Sequence, residues 1–414
     1  MDTRTVPPFS LEANVERRIS IAFLNWAHAL DHFVMLIFPT VVIGLELVYA
    51  RPYSELIVLS TASFVAFGVC SLPAGWLADH WSRRNMMALF WFGCGASLVG
   101  AAFAPNLVLL ALALFALGVF AAIYHPVGMA MLIEASKARG RTLAFNGVCG
   151  NLGAALAAGI TAVLASTLGW RGAFLVPAGL CIATGAVYLW LVADDGHHIG
   201  SRKSAPEVAL PRPLAIVMLV LFIVVALAAG ITFNTMSVAL PKIVDERLGK
   251  DVPLVMVGGL ATAVFMCGAL AQLAVGRLVE WIAPHVVFAI VAVLAFLGVL
   301  WATYASGVTL MAALALTMAA IYGQVTVNDM VIARYTADRW RGRIYAVRYF
   351  LIFVSSGAAV AAIAYLHSRG GFSLVLGATA LIALVFSIAT AAIAVLVSGV
   401  ERERARAMVV RAAE

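Results

Sequence analysis

Charged side chains are scarce in this sequence. They make up 11% of its 414 residues, whereas hydrophobic residues make up 64%. A soluble core cannot bury that much apolar surface, so the composition excludes an ordinary soluble domain. The apolar residues form long runs of about 20 residues, which is the length that a helix needs to cross a bilayer, and they lack the short alternating pattern of barrel strands. We therefore expect an all-α membrane protein.

Motifs of enzymatic chemistry are also missing. The five cysteines occur singly and form no CxxC pair, so they indicate neither a thiolate metal site nor a disulfide framework. The sequence contains no HExxH motif, no GxSxG nucleophile motif and no nucleotide-binding loop. We expect a protein that is not an enzyme, has no cofactor and makes no direct use of ATP.

The excess of basic residues follows membrane topology. Lysine and arginine number 27 against 20 acidic residues, giving a net charge of +7. With the N-terminus in the cytoplasm, twenty of the 27 fall in cytoplasmic segments and six on the opposite side. By the positive-inside rule this asymmetry predicts cytoplasmic N- and C-termini, here in a bacterial inner membrane. It gives no reason to expect nucleic acid as a partner.

Twelve apolar segments can be counted, and a polar stretch with several prolines separates them into two sets of six. The first predicted helix covers 19–45 and the fourth covers 107–134, where Pro126 is expected to bend it. The predicted organisation is a cytoplasmic N-terminal segment at 1–18, a six-helix bundle at 19–193, a cytoplasmic linker at 194–211, a second six-helix bundle at 212–398 and a cytoplasmic tail at 399–414.

The two halves repeat each other. Ala121-Ala122-Ile123-Tyr124 recurs as Ala319-Ala320-Ile321-Tyr322, and Arg139-Gly140-Arg141 recurs as Arg341-Gly342-Arg343. Duplicated halves around a central path are typical of secondary transporters that work by alternating access.

The loop between predicted helices 2 and 3 combines an acid with two arginines. Asp79 lies at the cytoplasmic end of helix 2, and Arg83 and Arg84 begin helix 3. The carboxylate can pair across the loop and make a latch, so we take Gly75, Asp79, Arg83 and Arg84 as candidate gating residues. Ordinary positive-inside charge with one counter-ion is the alternative.

This loop resembles the signature of the major facilitator superfamily, Gly-x-Leu-x-Asp-Arg-x-Gly-Arg-Arg, from which it departs at His80 and Ser82. The resemblance implies twelve transmembrane helices in two pseudo-symmetric six-helix bundles, with helices 1, 4, 7 and 10 lining a central path. Tyr124-His125-Pro126 and Gly150-Asn151-Leu152-Gly153 are similar to the fosmidomycin-resistance branch of efflux pumps, which implies export. The glycine-proline pair that marks antiporters in helix 5 is absent, and Ala157-Ala158 stands near its place.

Helix 1 carries polar residues on one face. Asn25, His28, Asp31 and His32 follow the spacing of a single helical stripe. Ionisable groups at membrane depth are costly, so they usually pair or function. A carboxylate beside imidazoles suits a proton carrier, and we predict proton coupling at Asp31, His28 and His32. The alternative is a hydrogen bond from a histidine to a neighbouring helix, with Asp31 as its structural partner.

Polar residues on the path-lining helices, together with Arg348 of helix 11, are candidate substrate-binding residues. Arg348, early in helix 11, could neutralise Asp329, unless both lie closer to the cytoplasmic surface. For Asn234 an interhelical hydrogen bond is the alternative role, and for His125 a hydrogen bond within the core. The substrate-binding candidates are Asn25, Tyr124, His125, Asn234, Gln324, Asn328, Asp329 and Arg348.

These patterns favour a proton-coupled exporter of a small organic molecule or drug, monomeric in the lipid bilayer. One alternative is uptake of an organic anion, for which Arg348 would supply the charge. Another is uptake of a transition metal, whose possible ligands are scattered over helices 1 and 4: His28, His32, Met35, His125 and Met129. A non-transporting sensor or scaffold is a third.

Overall fold

The computed structural model describes residues 9–136, 139–193, 212–249, 252–335 and 338–413, and this part of the chain is almost entirely helical. The helices are α1 (Phe9–Met35), α2 (Ile37–Tyr49), α3 (Tyr53–Ile57), α4 (Thr61–Val69), α5 (Ser71–His80), α6 (Arg83–Phe103), α7 (Leu107–Ala121), α8 (Met129–Ala135), α9 (Arg139–Leu191), α10 (Arg212–Leu248), α11 (Leu254–Leu278), α12 (Pro284–Tyr304), α13 (Gly307–Tyr335) and α14 (Asp338–Ala413). The predicted linker at 194–211 lies outside the described residues.

Nine helical stretches in the described ranges are long and apolar enough to cross a membrane. A pair bent by 41°, Tyr53–Val69 with Ser71–His80, makes ten if it counts as one span. The chain is therefore a multi-pass membrane protein with the expected all-α fold.

Two of these stretches are much longer than the roughly 20 residues of one crossing. Arg141–Leu191 has 51 residues and Phe350–Arg402 has 53. The first leaves helical geometry at Gly169, where φ is 74°, and the second at Gly370 and Gly371. A positive φ is accessible to glycine at little steric penalty. The total of twelve spans stays a prediction, since it requires each stretch to cross twice.

The first predicted helix, 19–45, is divided in the structure. Helix α1 ends at Met35 and α2 begins at Ile37. Pro39 has no amide hydrogen to donate to the carbonyl of Met35, so the helical ladder cannot continue there. The Leu36 amide donates instead to the carbonyl of Phe33, at 3.1 Å. The division falls within about one turn of the polar face of helix 1.

The fourth predicted helix, 107–134, is interrupted as well. Helix α7 ends at Ala121, and Tyr124–Gly128 forms a π segment before α8. Pro126 lies inside this segment, and its missing amide hydrogen explains the local widening. Segments of this kind occur frequently at functional sites. Here it carries Tyr124 and His125.

The ends of the chain are more helical than the sequence suggested. Helix α1 begins at Phe9, within the segment predicted as a cytoplasmic extension at 1–18. Helix α14 continues to Ala413, through the predicted tail at 399–414.

The chain divides into two compact units. The first comprises Met1–Ser201 with Pro253–Thr262, and the second comprises Arg202–Val252 with Ala263–Glu414. In the first unit α9 packs against α1 and α6, and α7 packs against α4 and α6. In the second unit α14 packs against α10 and α12, and α12 also packs against α13.

Glycines in α9 let it approach α1 closely. A side chain at Gly153 would overlap the backbone of Ala29, and a Cβ at Gly150 would lie 2.6 Å from Nε2 of His28. The two helices therefore meet along the face of α1 that carries the predicted polar stripe.

The substitution Gly153→Ala is expected to destabilise the protein by about 1–3 kcal/mol, because the added methyl group overpacks this helix contact. Thermal unfolding of the purified protein in detergent measures the effect. Gly147→Ala is the matched control on the same helix, since no atom lies within 4 Å of the added group. Alanine there is expected to stabilise the helix by about 0.5–1 kcal/mol. Equal midpoints for the two variants would contradict the close approach.

Candidate functional site

Asn146 organises a polar centre in the first unit. This fully buried residue of α9 donates from Nδ2 to Oδ1 of Asn25, at 3.0 Å, and accepts at Oδ1 from the hydroxyl of Tyr124, at 3.2 Å. Its backbone carbonyl accepts a hydrogen bond from Nδ1 of His28, at 2.8 Å. One asparagine thus joins α1, the π segment and α9.

Three imidazoles meet beside this amide. His28 and His32 come from consecutive turns of α1, and His125 comes from the π segment. The Nε2 atoms of His28 and His32 are 3.2 Å apart. One ligand nitrogen from each of the three rings lies within 4.8 Å of the others. We call His28, His32 and His125 the histidine cluster. The ring of Tyr124 stacks on His28 with centroids 4.8 Å apart, which fixes the plane of that imidazole.

Asp31 is a buried carboxylate next to the histidine cluster. Its side chain is 0% exposed, and Oδ2 lies 3.4 Å from Nε2 of His125. Among the described residues, neither carboxylate oxygen accepts a hydrogen bond and no lysine or arginine forms an ion pair with Asp31. Tyr124 and, from α6, Cys94 also lie within electrostatic range of it. A buried carboxylate without fixed cationic neighbours favours binding of a cation.

The structure therefore brings together every candidate residue of helices 1 and 4. The residues are Asn25, His28, Asp31, His32, Tyr124 and His125, and all belong to the first unit. Asn146 was not among the predicted site residues. The signal that could have found it is an asparagine followed by glycine inside an apolar helical run, because an amide at membrane depth needs hydrogen-bond partners.

In the second unit, Arg348 pairs with Asp329. The arginine side chain is 6% exposed, whereas that of Asp329 is 41% exposed. Gln324 and Asn328, on the same helix as Asp329, are both buried, and their amide oxygens accept no hydrogen bond from the described residues. Such oxygens leave acceptor capacity for a ligand.

Asn234 makes backbone contacts in the second unit. Its Nδ2 donates to the carbonyl of Gly230, at 2.8 Å, and to that of Ile352, at 3.3 Å. The second bond ties α10 to α14, which is the interhelical role that small polar residues commonly take in membranes.

The predicted latch residues lie at one end of the first unit. Arg83 donates to Asp79 at 2.9 Å and to Glu134 at 2.5 Å, so it connects the end of α5 with α8. Glu134 was not predicted. Because Asp79 is 61% exposed, its pair with Arg83 is worth no more than about 1 kcal/mol. A contact of this strength can open and close easily.

The other two candidates of this region contact different groups. Arg84 donates to the backbone carbonyls of Leu189 and Val192, where basic side chains commonly satisfy the last carbonyls of a helix. Gly75 packs closely against Pro126. A Cβ built on this glycine would lie 3.2 Å from the Cβ of the proline. Helix α5 is thereby placed against the π segment.

Replacing Asn146 by alanine is expected to destabilise the protein by about 2–6 kcal/mol, because it strips hydrogen bonds from two buried polar groups, Asn25 and Tyr124, at about 1–3 kcal/mol each. Thermal unfolding in detergent checks this. Asn151→Ala, at a half-buried position of the same helix, is the control and should lower stability less. A smaller effect for Asn146→Ala than for Asn151→Ala would exclude Asn146 as the organising residue.

Comparison with known proteins identifies the family. The family model described as Major Facilitator Superfamily matches residues 21–347, which is well over half of the chain. The chain belongs to this superfamily. The match includes the histidine cluster, the latch and the repeat.

Among curated relatives of this major facilitator is an uncharacterised MFS-type transporter, YfnC, of Bacillus subtilis (strain 168). It is 26% identical over 165 residues, and the match spans 39% of the chain and 40% of the relative's length.

Among solved structures, the fold resembles the crystal structure of a bacterial homologue of the human lysosomal transporter Spinster, in an inward-facing and unoccupied conformation. The TM-score is 0.74 at 12% sequence identity, with 95% of this chain and 98% of the other covered. This similarity confirms the predicted major facilitator fold.

Proposed function

We propose that this major facilitator is a proton-coupled secondary transporter that works by alternating access and exports a small organic molecule or drug. The observation that carries the proposal is Asp31, a fully buried carboxylate 3.4 Å from an imidazole nitrogen of His125. Burial of an uncompensated charge at membrane depth costs several kcal/mol. Such a group is expected to release its bound cation only when the site opens to water.

Protons are the proposed coupling ion, and Asp31, His28 and His32 are the proposed coupling residues. His28 and His32 are in direct contact through their Nε2 atoms, at 3.2 Å. Imidazoles in contact with each other can pass a proton between a buried carboxylate and a more accessible position. His125, whose side chain is 17% exposed, provides such a position.

Each unit carries residues proposed to contact substrate. In the first unit they are Asn25, Tyr124 and His125, and in the second unit Asn234, Gln324, Asn328, Asp329 and Arg348. The buried acceptors Gln324 and Asn328 support this assignment most directly. Arg83 with Asp79, supported by Gly75 and Arg84, is the proposed gate, since a weak and exposed ion pair can break in each transport cycle.

The direction of transport and the orientation of the chain in the membrane are further parts of the proposal. Export rests on the resemblance of the Tyr124-His125-Pro126 region to efflux pumps, and an inner-membrane location with cytoplasmic termini rests on the distribution of basic residues. We propose that the transporter acts as a monomer without a cofactor and that it is not an enzyme. Uptake of an organic anion is less favoured, because Arg348 already pairs with Asp329.

The test uses inside-out membrane vesicles from cells that overproduce the full chain. Respiration acidifies the vesicle interior, and a pH-sensitive dye reports the gradient while compounds from a panel of drugs and metal salts are added singly. A substrate of a proton-coupled exporter is expected to dissipate the gradient in these vesicles but not in vesicles without the protein. If no compound has an effect while an unrelated antiporter in the same vesicles responds, proton-coupled export is wrong.

A further inference from the structure

We infer that the histidine cluster and Asp31 form a binding site for a borderline divalent transition-metal cation such as Zn²⁺, and that this cation is a transported substrate. The inference rests on the proposed proton-coupled transport and adds a second substrate class, a metal cation besides the organic molecule, for the histidine cluster and Asp31. It is carried by the positions of the nitrogen and oxygen atoms.

The spacing of the ring nitrogens fits a shared metal ion. Two imidazole nitrogens bound to one tetrahedral Zn²⁺ at 2.0–2.1 Å stand about 3.3 Å apart. The Nε2 atoms of His28 and His32 are already 3.2 Å apart. The ligand nitrogen of His125 belongs to a group whose members all lie within 4.8 Å of one another. Binding requires this third nitrogen to come to the same spacing of about 3.3 Å from the other two.

The surroundings of His28 have the arrangement of a metal ligand. Its Nδ1 donates to the backbone carbonyl of Asn146, so the lone pair of the neutral ring is on Nε2, the atom that faces His32. Metal-bound histidines usually donate their other ring nitrogen in this way, to a carbonyl or a carboxylate. Stacking on Tyr124 holds the ring in place.

Asp31 supplies an oxygen ligand and negative charge. Its Oδ2 lies 3.4 Å from His125 Nε2, and neither oxygen accepts a hydrogen bond from the described residues. Three imidazoles and one carboxylate suit zinc, cobalt, nickel or ferrous iron. Because the set contains no sulfur, it does not favour monovalent copper.

Calorimetry on the purified full chain tests the site. The protein is prepared in detergent with an affinity tag that contains no histidine, and Zn²⁺ is titrated alone. We expect one Zn²⁺ per chain. His32→Gln and His125→Gln are each expected to weaken binding at least about 100-fold, since even an outer partner of a metal ligand is worth about 10–100-fold. Co²⁺ bound to the wild type should show the intense visible absorption of a tetrahedral ion.

Two controls remove other histidines. His285→Gln replaces a buried histidine of the second unit, which contacts Tyr335 and Ser398. A double replacement of His197 and His198 by alanine removes the adjacent pair in the linker sequence. Both controls should bind Zn²⁺ like the wild type. The metal site is wrong if the wild type does not bind Zn²⁺, if binding requires the linker pair, or if it survives in both cluster variants.

The visible spectrum of Co²⁺ on the wild type is informative even if a cluster variant fails to fold. A weak octahedral spectrum would overturn the site without reference to any variant. The vesicle assay also distinguishes failure of the metal inference from failure of the proposed proton-coupled export. A drug that dissipates the gradient, together with absent Zn²⁺ binding, overturns the metal inference and leaves the exporter intact. Tight Zn²⁺ binding without dissipation by any compound overturns proton-coupled export instead.

Discussion

Asp31→Asn is expected to abolish proton-driven transport while sparing exchange of substrate for substrate. The amide has the shape of the carboxylate, so the packing of α1 should survive, but it cannot exchange a proton. Net transport in one direction requires the site to pick up a proton on one side and release it on the other. Exchange requires only that the substrate-loaded site open to one side of the membrane and then to the other.

The measurement uses proteoliposomes with an imposed pH gradient and an organic substrate identified in the vesicle screen, since a metal ion would lose Asp31 as a ligand in the variant. Gradient-driven accumulation should fall to the level of liposomes without protein, whereas exchange should stay within about twofold of the wild type. Glu55→Gln is the control, because Glu55 is an exposed carboxylate that pairs with Arg51 one turn away. Accumulation by Asp31→Asn at the wild-type level would exclude Asp31 as the coupling residue.

Arg348→Gln is expected to have the next largest effect. The substitution removes the guanidinium that pairs with Asp329 in the second unit. Breaking a fully buried pair from one side costs about 3–5 kcal/mol. Because the Asp329 side chain is 41% exposed, a loss of about 2–3 kcal/mol is expected here. Transport should fall as well, since both residues are proposed to contact substrate.

A double-mutant cycle separates these two effects. Asp329→Asn with Arg348→Gln removes both charges, so the double variant should be more stable than the sum of the single changes, with a coupling of about 0.5–3 kcal/mol. Unfolding midpoints measure the stability of each variant. The double variant is expected to regain stability but not transport. Additive stability effects would show that the ion pair makes no net contribution.

The polar face of α1 could be predicted from spacing, because a helix of 3.6 residues per turn places Asn25, His28 and His32 side by side. The structure confirms that placement, since Asn25 and His28 both contact Asn146 and His28 contacts His32. The apolar runs likewise predicted the membrane fold.

The partners of that face could not be predicted. Which residues of α9 and the π segment reach α1 depends on how closely the helices approach, and glycines decide that approach. In the structure Gly150 and Gly153 bring the carbonyl of Asn146 within hydrogen-bond distance of His28.

The form of the local backbone changes was also beyond the sequence patterns. Hydrophobicity along 19–45 and 107–134 is continuous, so each stretch was expected to be a single helix, the second bent at Pro126. Pro39 and Pro126 lie where the helices are interrupted. A proline inside a membrane helix can bend, widen or divide it, and the surrounding packing determines which of these occurs.

Proton release on substrate binding tests the role of Asp31 most directly. The purified full chain is placed in weakly buffered detergent solution with a pH indicator, and an organic substrate from the vesicle screen is added. The wild type is expected to release protons as it binds, and Asp31→Asn is expected to bind the same compound without release. Equal proton release by the two proteins would contradict the assignment of Asp31 as the coupling group.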